Sequence, residues 1–197
     1  MIPFTVPAYT TLTPFHVRKF SVAEYQKLID VGVLTDEDRV ELLENYLVLK
    51  PPANPPHDST MMTLDHLLQR MLPDGLLVYC QHGSDLPDGR PEPDLAVVRG
   101  DFRTSRARHP QPNEIVLMIE VSDSNLLRDR VDKGRIYARV SIPQYWVVNL
   151  VDRQIEVYTD PTGPVYRRRQ DFTPGMSVPL ELNGQALGAV AVDEVLP

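Results

Sequence analysis

The sequence contains one cysteine, Cys80. A lone thiol excludes an internal disulfide and any cysteine-built zinc site, and it fits a reducing compartment. Long apolar runs are missing as well, and nothing approaches the ~20 residues that a membrane-spanning helix needs. Pro3 and Pro7 interrupt the start, and no basic residue precedes Arg18, so the segment does not read as a secretory signal. The expectation is a soluble, cytoplasmic protein without a membrane partner. Positive charge is in short supply: 20 Lys and Arg face 27 Asp and Glu, for a formal net charge of −7. That is a poor footprint for gripping nucleic acid non-specifically. It leaves open a nucleic-acid enzyme whose clustered acids hold a metal, because a bound cation offsets them. Repeats, low-complexity linkers, helix-turn-helix and zinc motifs are absent.

The 197 residues, 42% of them hydrophobic, suffice for one ordinary core. Residues 1–19 are rich in Pro and Thr and lack a period, so they read as an N-terminal arm. Residues 20–197 read as a single domain. Ser21 and Glu24 have capping-box spacing ahead of a helical stripe at Tyr25, Leu28 and Ile29 that ends near Gly32. Residues 40–50 read as a hairpin turning at Glu44-Asn45, with Glu41 inside an apolar arm. After a proline-rich stop at 51–56, Met61, Leu64, Leu67, Leu68, Met71 and Leu72 predict an amphipathic helix over 57–72. Strands are predicted at 76–82, 94–98 and 115–121, a helix at 126–140, and strands at 144–149 and 155–158. Further short antiparallel strands follow. One of them carries Arg167, Arg168 and Arg169, which alternate between faces and read as a solvated edge or a binding element. Arg103, Arg106, Arg108 and His109 sit in a polar stretch that is either a solvated loop or a phosphate contact. The order gives an α/β fold with a mixed central sheet flanked by helices.

Two acids stand out within this pattern. Asp94 opens the apolar run 95–98, and Glu120 closes the apolar run 115–119. Ionised carboxylates at the edges of buried strands are costly unless cations or donors meet them. Lys133 lies on the helix that follows. Two carboxylates can share a hard divalent cation that keeps several waters. A lysine beside them can orient a water or offset charge on a phosphorane-like transition state. The plainer alternatives are a turn cap at Asp94 and an i,i+4 ion pair between Asp129 and Lys133.

The chain resembles a known family at several spaced motifs. They are Pro93-Asp94-Leu95-Ala96-Val97-Val98, Ile119-Glu120-Val121-Ser122, then Asp129, Lys133, Tyr137-Ala138 and Ile142-Pro143-Gln144-Tyr145-Trp146. Arg39-Val40-Glu41-Leu42-Leu43-Glu44-Asn45 and His57 also fit. This is similar to the bacterial restriction endonuclease-like family of the PD-(D/E)XK nuclease superfamily, over roughly residues 20–160. The resemblance implies a restriction-endonuclease-like core and metal-dependent cleavage of DNA phosphodiesters. In that light Asp94 and Glu120 hold Mg²⁺ (or Mn²⁺), and Lys133 and Glu41 complete the catalytic set. The lysine usually found two residues after the acid is replaced by Ser122, and Lys133 matches the family's helix-borne lysine. Asn45 stands where the family usually has Gly. His57, Asp129 and Tyr137 match family positions with no assigned role. DNA and a second copy of the chain are the implied partners. The rival readings are a nuclease-fold protein that binds nucleic acid or a protein without cutting, and a dimerisation module using Trp146 and Tyr158.

Overall fold

The computed structural model describes residues 17–101, 103, 107–182 and 184–197. Most of the proposed arm, and Arg106, lie outside the described residues. Helix α1 (Val22–Asp30) opens with a complete capping box: Ser21 Oγ accepts from the Glu24 amide, and Glu24 accepts from the Ser21 amide. Strands β1 (Val40–Leu43) and β2 (Tyr46–Leu49) form the expected hairpin. Glu44 and Asn45 both take positive φ, 49° and 71°, as a tight two-residue hairpin turn requires.

Helix α2 (Pro55–Met71) begins two residues earlier than its apolar stripe indicated. The early prolines occupy the first turn, where a missing N–H costs nothing, and Asn54 caps the His57 amide. The stop read at 51–56 is therefore in part a helix start.

Six strands build the main sheet: β3 (Leu76–Cys80), β4 (Leu95–Arg99), β5 (Ile115–Ser122), β6 (Gln144–Asn149), β7 (Gln154–Thr162) and β8 (Val165–Phe172), in that spatial order. Only β5 and β6 run parallel. The right-handed crossover logic of such a pair calls for an intervening helix, and α3 over residues 126–139 supplies it. Every residue of β5 is buried, as its unbroken apolar run implied. Strand β8 is an edge strand, and Arg167, Arg168 and Arg169 are exposed on it.

The two faces of the sheet carry separate cores. On one, Leu95, Val97, Leu117, Ile119 and Trp146 pack beneath α2. A separate hairpin of β9 (Ser177–Leu182) and β10 (Gln185–Ala191), followed by α4 (Val192–Val195), closes that side with Val178, Leu180 and Val190. On the other, Ala96, Met118, Tyr145 and Val147 pack beneath Ile136 and Tyr137 of α3 and Leu43 of β1. Each fully buried aliphatic side chain contributes about 1.5–3 kcal/mol. Trp146 is wholly buried and Tyr158 partly so, which removes the two residues read as apolar surface for a dimerisation module. Among the described residues no helix is long and apolar enough to cross a membrane.

Candidate active site

Register places the two acids of the strands. Leu95 pairs with Ile119 across the antiparallel β4–β5 ladder, so Asp94, one residue further out, falls opposite Glu120. Residues directly opposite in such a ladder point to the same face with Cβ atoms roughly 5 Å apart. The Val121 amide donates to Asp94 Oδ2 at 2.8 Å and ties the pair together. The row continues inward: Glu120 pairs with Val147, and Val147 with Glu156 on β7. Thus Asp94, Glu120 and Glu156 share one line across the face that α3 covers.

Helix α3 answers that line with cations. Lys133 Nζ lies 2.9 Å from Glu120 Oε1 and 3.6 Å from Glu41 Oε1. Asp129 is not among its ion-pair partners, so the plain helical pair is not what holds this lysine. Three residues earlier, Arg130 Nε donates to both oxygens of Glu156 at 3.0 Å. Asn149, Tyr158 and Gln154 also donate to that buried carboxylate, at 2.8, 2.7 and 3.1 Å, and Arg169 Nη2 lies 3.4 Å from it. Between Arg130 and Lys133 the helix is π-wound over Asp129–Lys133, with the Gly134 amide donating to the Asp129 carbonyl. Tyr145 Oη donates to the same carbonyl at 3.0 Å. One extra residue in the turn resets the angle between the two cations, and such bulges recur at functional sites.

Three more residues complete the constellation. Tyr137 Oη donates to Glu120 Oε1 at 2.7 Å. His57 Nε2 sits 3.2 Å from Asp94 Oδ1 and its Nδ1 3.3 Å from Asp58. Glu41, fully buried, accepts from the Glu92 amide at 3.1 Å on one oxygen, while Oε1 makes no hydrogen bond. Gly89 makes this corner possible: a Cβ there would lie 2.5 Å from the Leu42 carbonyl, where the loop closes on the strand that bears Glu41.

Burial sets the protonation of the cluster. It pushes Glu120 up to about 8, although Lys133 pulls the other way. Burial likewise raises Asp129. Burial would lower Lys133, but Glu120, Glu41, Asp129 and Asp94 overcome it and hold the ammonium charged. Burial would raise Asp94, but the His57 hydrogen bond and charge, with Lys133, hold it below the ordinary range. The Asp94 hydrogen bond lifts His57 to about 9.

These side chains line one cleft of about 300 Å³, which takes in Glu41, His57, Asp94, Glu120, Asp129 and Lys133. All four residues singled out from the sequence are therefore in one place. Lys50, Glu92, Asn54, Asp123 and Arg128 also line it and carried no sequence signal. Glu156 did carry one, an acid inside an apolar strand like Glu41, but it serves the helix and lies outside the cleft. Of the basic loop, Arg108 is committed to Glu114 at 2.5 and 2.7 Å. As for a cation, Asp94 and Glu120 offer oxygen donors, and Oε1 of Glu41, which accepts no hydrogen bond, adds negative potential nearby. Among the described residues no three acidic, His or Cys side chains gather closely enough to hold an ion alone. That donor set fits a cation that retains water, as Mg²⁺ does.

No curated protein matches the chain. A solved structure does: a protein described as a "putative nuclease belonging to DUF820" from Anabaena variabilis ATCC 29413 superimposes with a TM-score of 0.67. It shares 14% identity, and the match covers 89% of this chain and 97% of the other, so it establishes a common fold. The profile of the family described as "Uma2: Putative restriction endonuclease" matches residues 22–190, and the chain belongs to that family.

Proposed function

We propose that this protein is a metal-dependent endonuclease that hydrolyses DNA phosphodiester bonds as a homodimer, whose two sites would cut the two strands. The observation that carries the reading is the cross-strand pair Asp94–Glu120 with Lys133 held 2.9 Å from Glu120 in an open cleft. Like charges set opposite one another weaken a sheet. A chain that keeps them there, and buries a lysine beside them, trades stability for a site.

Asp94 and Glu120 are the residues that would hold Mg²⁺ or Mn²⁺. The chemistry such an ion supplies when bound is acidification of water and polarisation of a phosphoryl oxygen. Lys133 keeps its proton and presents fixed positive charge to oxygens that become more negative as the bond breaks. Glu41 helps sustain that charge from 3.6 Å away. Tyr137 orients the Glu120 carboxylate and His57 that of Asp94, so both acids are aimed before substrate arrives.

Plasmid and oligonucleotide DNA incubated with the protein in Mg²⁺ or Mn²⁺ tests the proposal. Nicking or linearisation is expected from the wild type and none from Asp94→Ala or Glu120→Ala. Lys133→Ala should lower turnover more than ~100-fold without weakening metal binding by calorimetry. Near-normal cutting by Lys133→Ala would refute its role. DNA binding by the wild type without cutting would select the non-catalytic alternative.

A further inference from the structure

A second pocket, of about 430 Å³, adjoins the cleft and takes no part in the chemistry above. The wall between them is the connection from β3 to β4, residues 81–94. Gln81 and Glu92 face the cleft, while His82 and Arg90 face the pocket. The wall is fixed at three points: the Gln81 amide donates to the Asp94 carbonyl, Ser84 to Pro91 and Asp85 to Pro110, each at 3.0 Å. Gly83 lets the pocket close. A Cβ there would meet Arg90 Cδ at 2.9 Å and His109 Cε1 at 3.4 Å.

The lining is ring-rich and internally neutralised. Tyr79 and His82 meet edge to face at 5.8 Å, and His109 also lines the pocket. Arg90 is nearly buried, with Nε on Asp85 at 2.6 Å and Nη1 on Gln26. Arg108 is held by Glu114. Cations already matched by their own carboxylates make a poor phosphate site. Aromatic rings framed by oriented polar groups suit a flat heteroaromatic ligand. The size is that of a small-molecule site, usually ~300–1,000 Å³.

We propose that this pocket is a nucleobase subsite: it takes one unpaired base of the strand whose phosphate lies at Asp94 and Glu120. The assignment rests on the nuclease reading and narrows it to substrates in which one base is unpaired or flipped out of the duplex, because a base still stacked inside the helix cannot enter. The tie between Gln81 and Asp94 makes the pocket a fixed neighbour of the cleavage point, so the base it holds stands at a constant offset from the cut.

End-labelled single-stranded oligonucleotides, each lacking the base at one position, are cut in Mg²⁺ and mapped. The wild type should show one offset from the gap at which cutting falls, by roughly 5- to 100-fold for loss of a stacked base. His82→Ala removes an exposed ring, and Tyr79→Leu keeps apolar bulk, so both should fold with an unchanged melting temperature to within a few degrees. In both, the offset-specific deficit should shrink or vanish. A flat profile in the wild type overturns the subsite and leaves the nuclease reading standing. A deficit that persists unchanged in both variants also overturns the subsite, since the effect then belongs to the DNA. No cleavage of any substrate by the wild type overturns the nuclease reading, and the subsite with it.

Discussion

Replacing Lys133 by methionine should destabilise the protein far more than replacing Glu120 by glutamine, and the difference should depend on pH. Lys133, Glu41 and Glu120 are 4%, 0% and 3% exposed, with the ammonium 2.9 and 3.6 Å from the two acids. With Glu120 ionised the trio holds two negative charges and one positive. Lys133→Met strands both acids in the interior, and breaking such a buried pair costs about 3–5 kcal/mol. In a chain of this size that is a fall in melting temperature on the order of 10 °C. Glu120→Gln instead leaves a balanced Lys133–Glu41 pair and should be neutral or stabilising. The pH term follows from Glu120, which burial raises to about 8 with Lys133 acting against it. Without Lys133 it rises further. A carboxyl that binds its proton more tightly when folded loses stability as pH climbs from its unfolded value toward its folded one. Below about pH 8 Glu120 keeps its proton in both folded proteins, so the Lys133→Met penalty should be constant there and should grow as pH rises above about 8. Urea unfolding of wild type, both single variants and the double variant from about pH 6 to about pH 10 measures it. The double variant should recover 0.5–3 kcal/mol relative to additivity, the span typical of contacting groups. Equal, pH-independent costs for the two single variants, with additivity in the double, would refute the reasoning.

Three other outcomes follow from the same geometry. His57, lifted to about 9 by Asp94, contributes stability that is fully present below about pH 6.5 and lost as pH rises through about 9. An imidazole titration by NMR should give that midpoint, and Asp94→Asn should return it toward the ordinary value. Glu156 is opposed by burial but drawn down to about 2 by Arg130, Tyr158 and Asn149, so its contribution holds above about pH 4.5 and fades as pH falls through about 2. Glu156→Gln should flatten that acid limb and cost roughly 3 kcal/mol at pH 7 by chemical denaturation. Asn54→Ala removes the cap on the His57 amide and the contact to Asp123 at 2.5 Å. It should lower stability by about 1 kcal/mol, read as a shift in urea midpoint.

Local chemistry wrote much of this protein into its sequence. The Ser21–Glu24 box, the Glu44-Asn45 turn, the unbroken apolar run of β5 and the stripe of α2 each depend on residues a few positions apart, so the chain announces them. The same locality flagged Asp94, Glu120 and Glu41, because an acid next to buried strand residues is conspicuous in one dimension. Who answers each acid is decided in three dimensions. Glu156 lies two strands from Glu120, yet sheet register puts both in one row, and only the crossing of α3 assigns Lys133 to one and Arg130 to the other. The π turn that spaces those cations adds a single residue to a helix, too small a change for a 3.6-residue period to reveal. Strand β9 alternates buried and exposed residues, but which sheet face its hairpin with β10 covers depends on a chain path that no short-range pattern specifies. The pocket beside the cleft draws on three stretches far apart in sequence, α1, residues 79–90 and residues 107–109, and Gly83 lets the last two come close together.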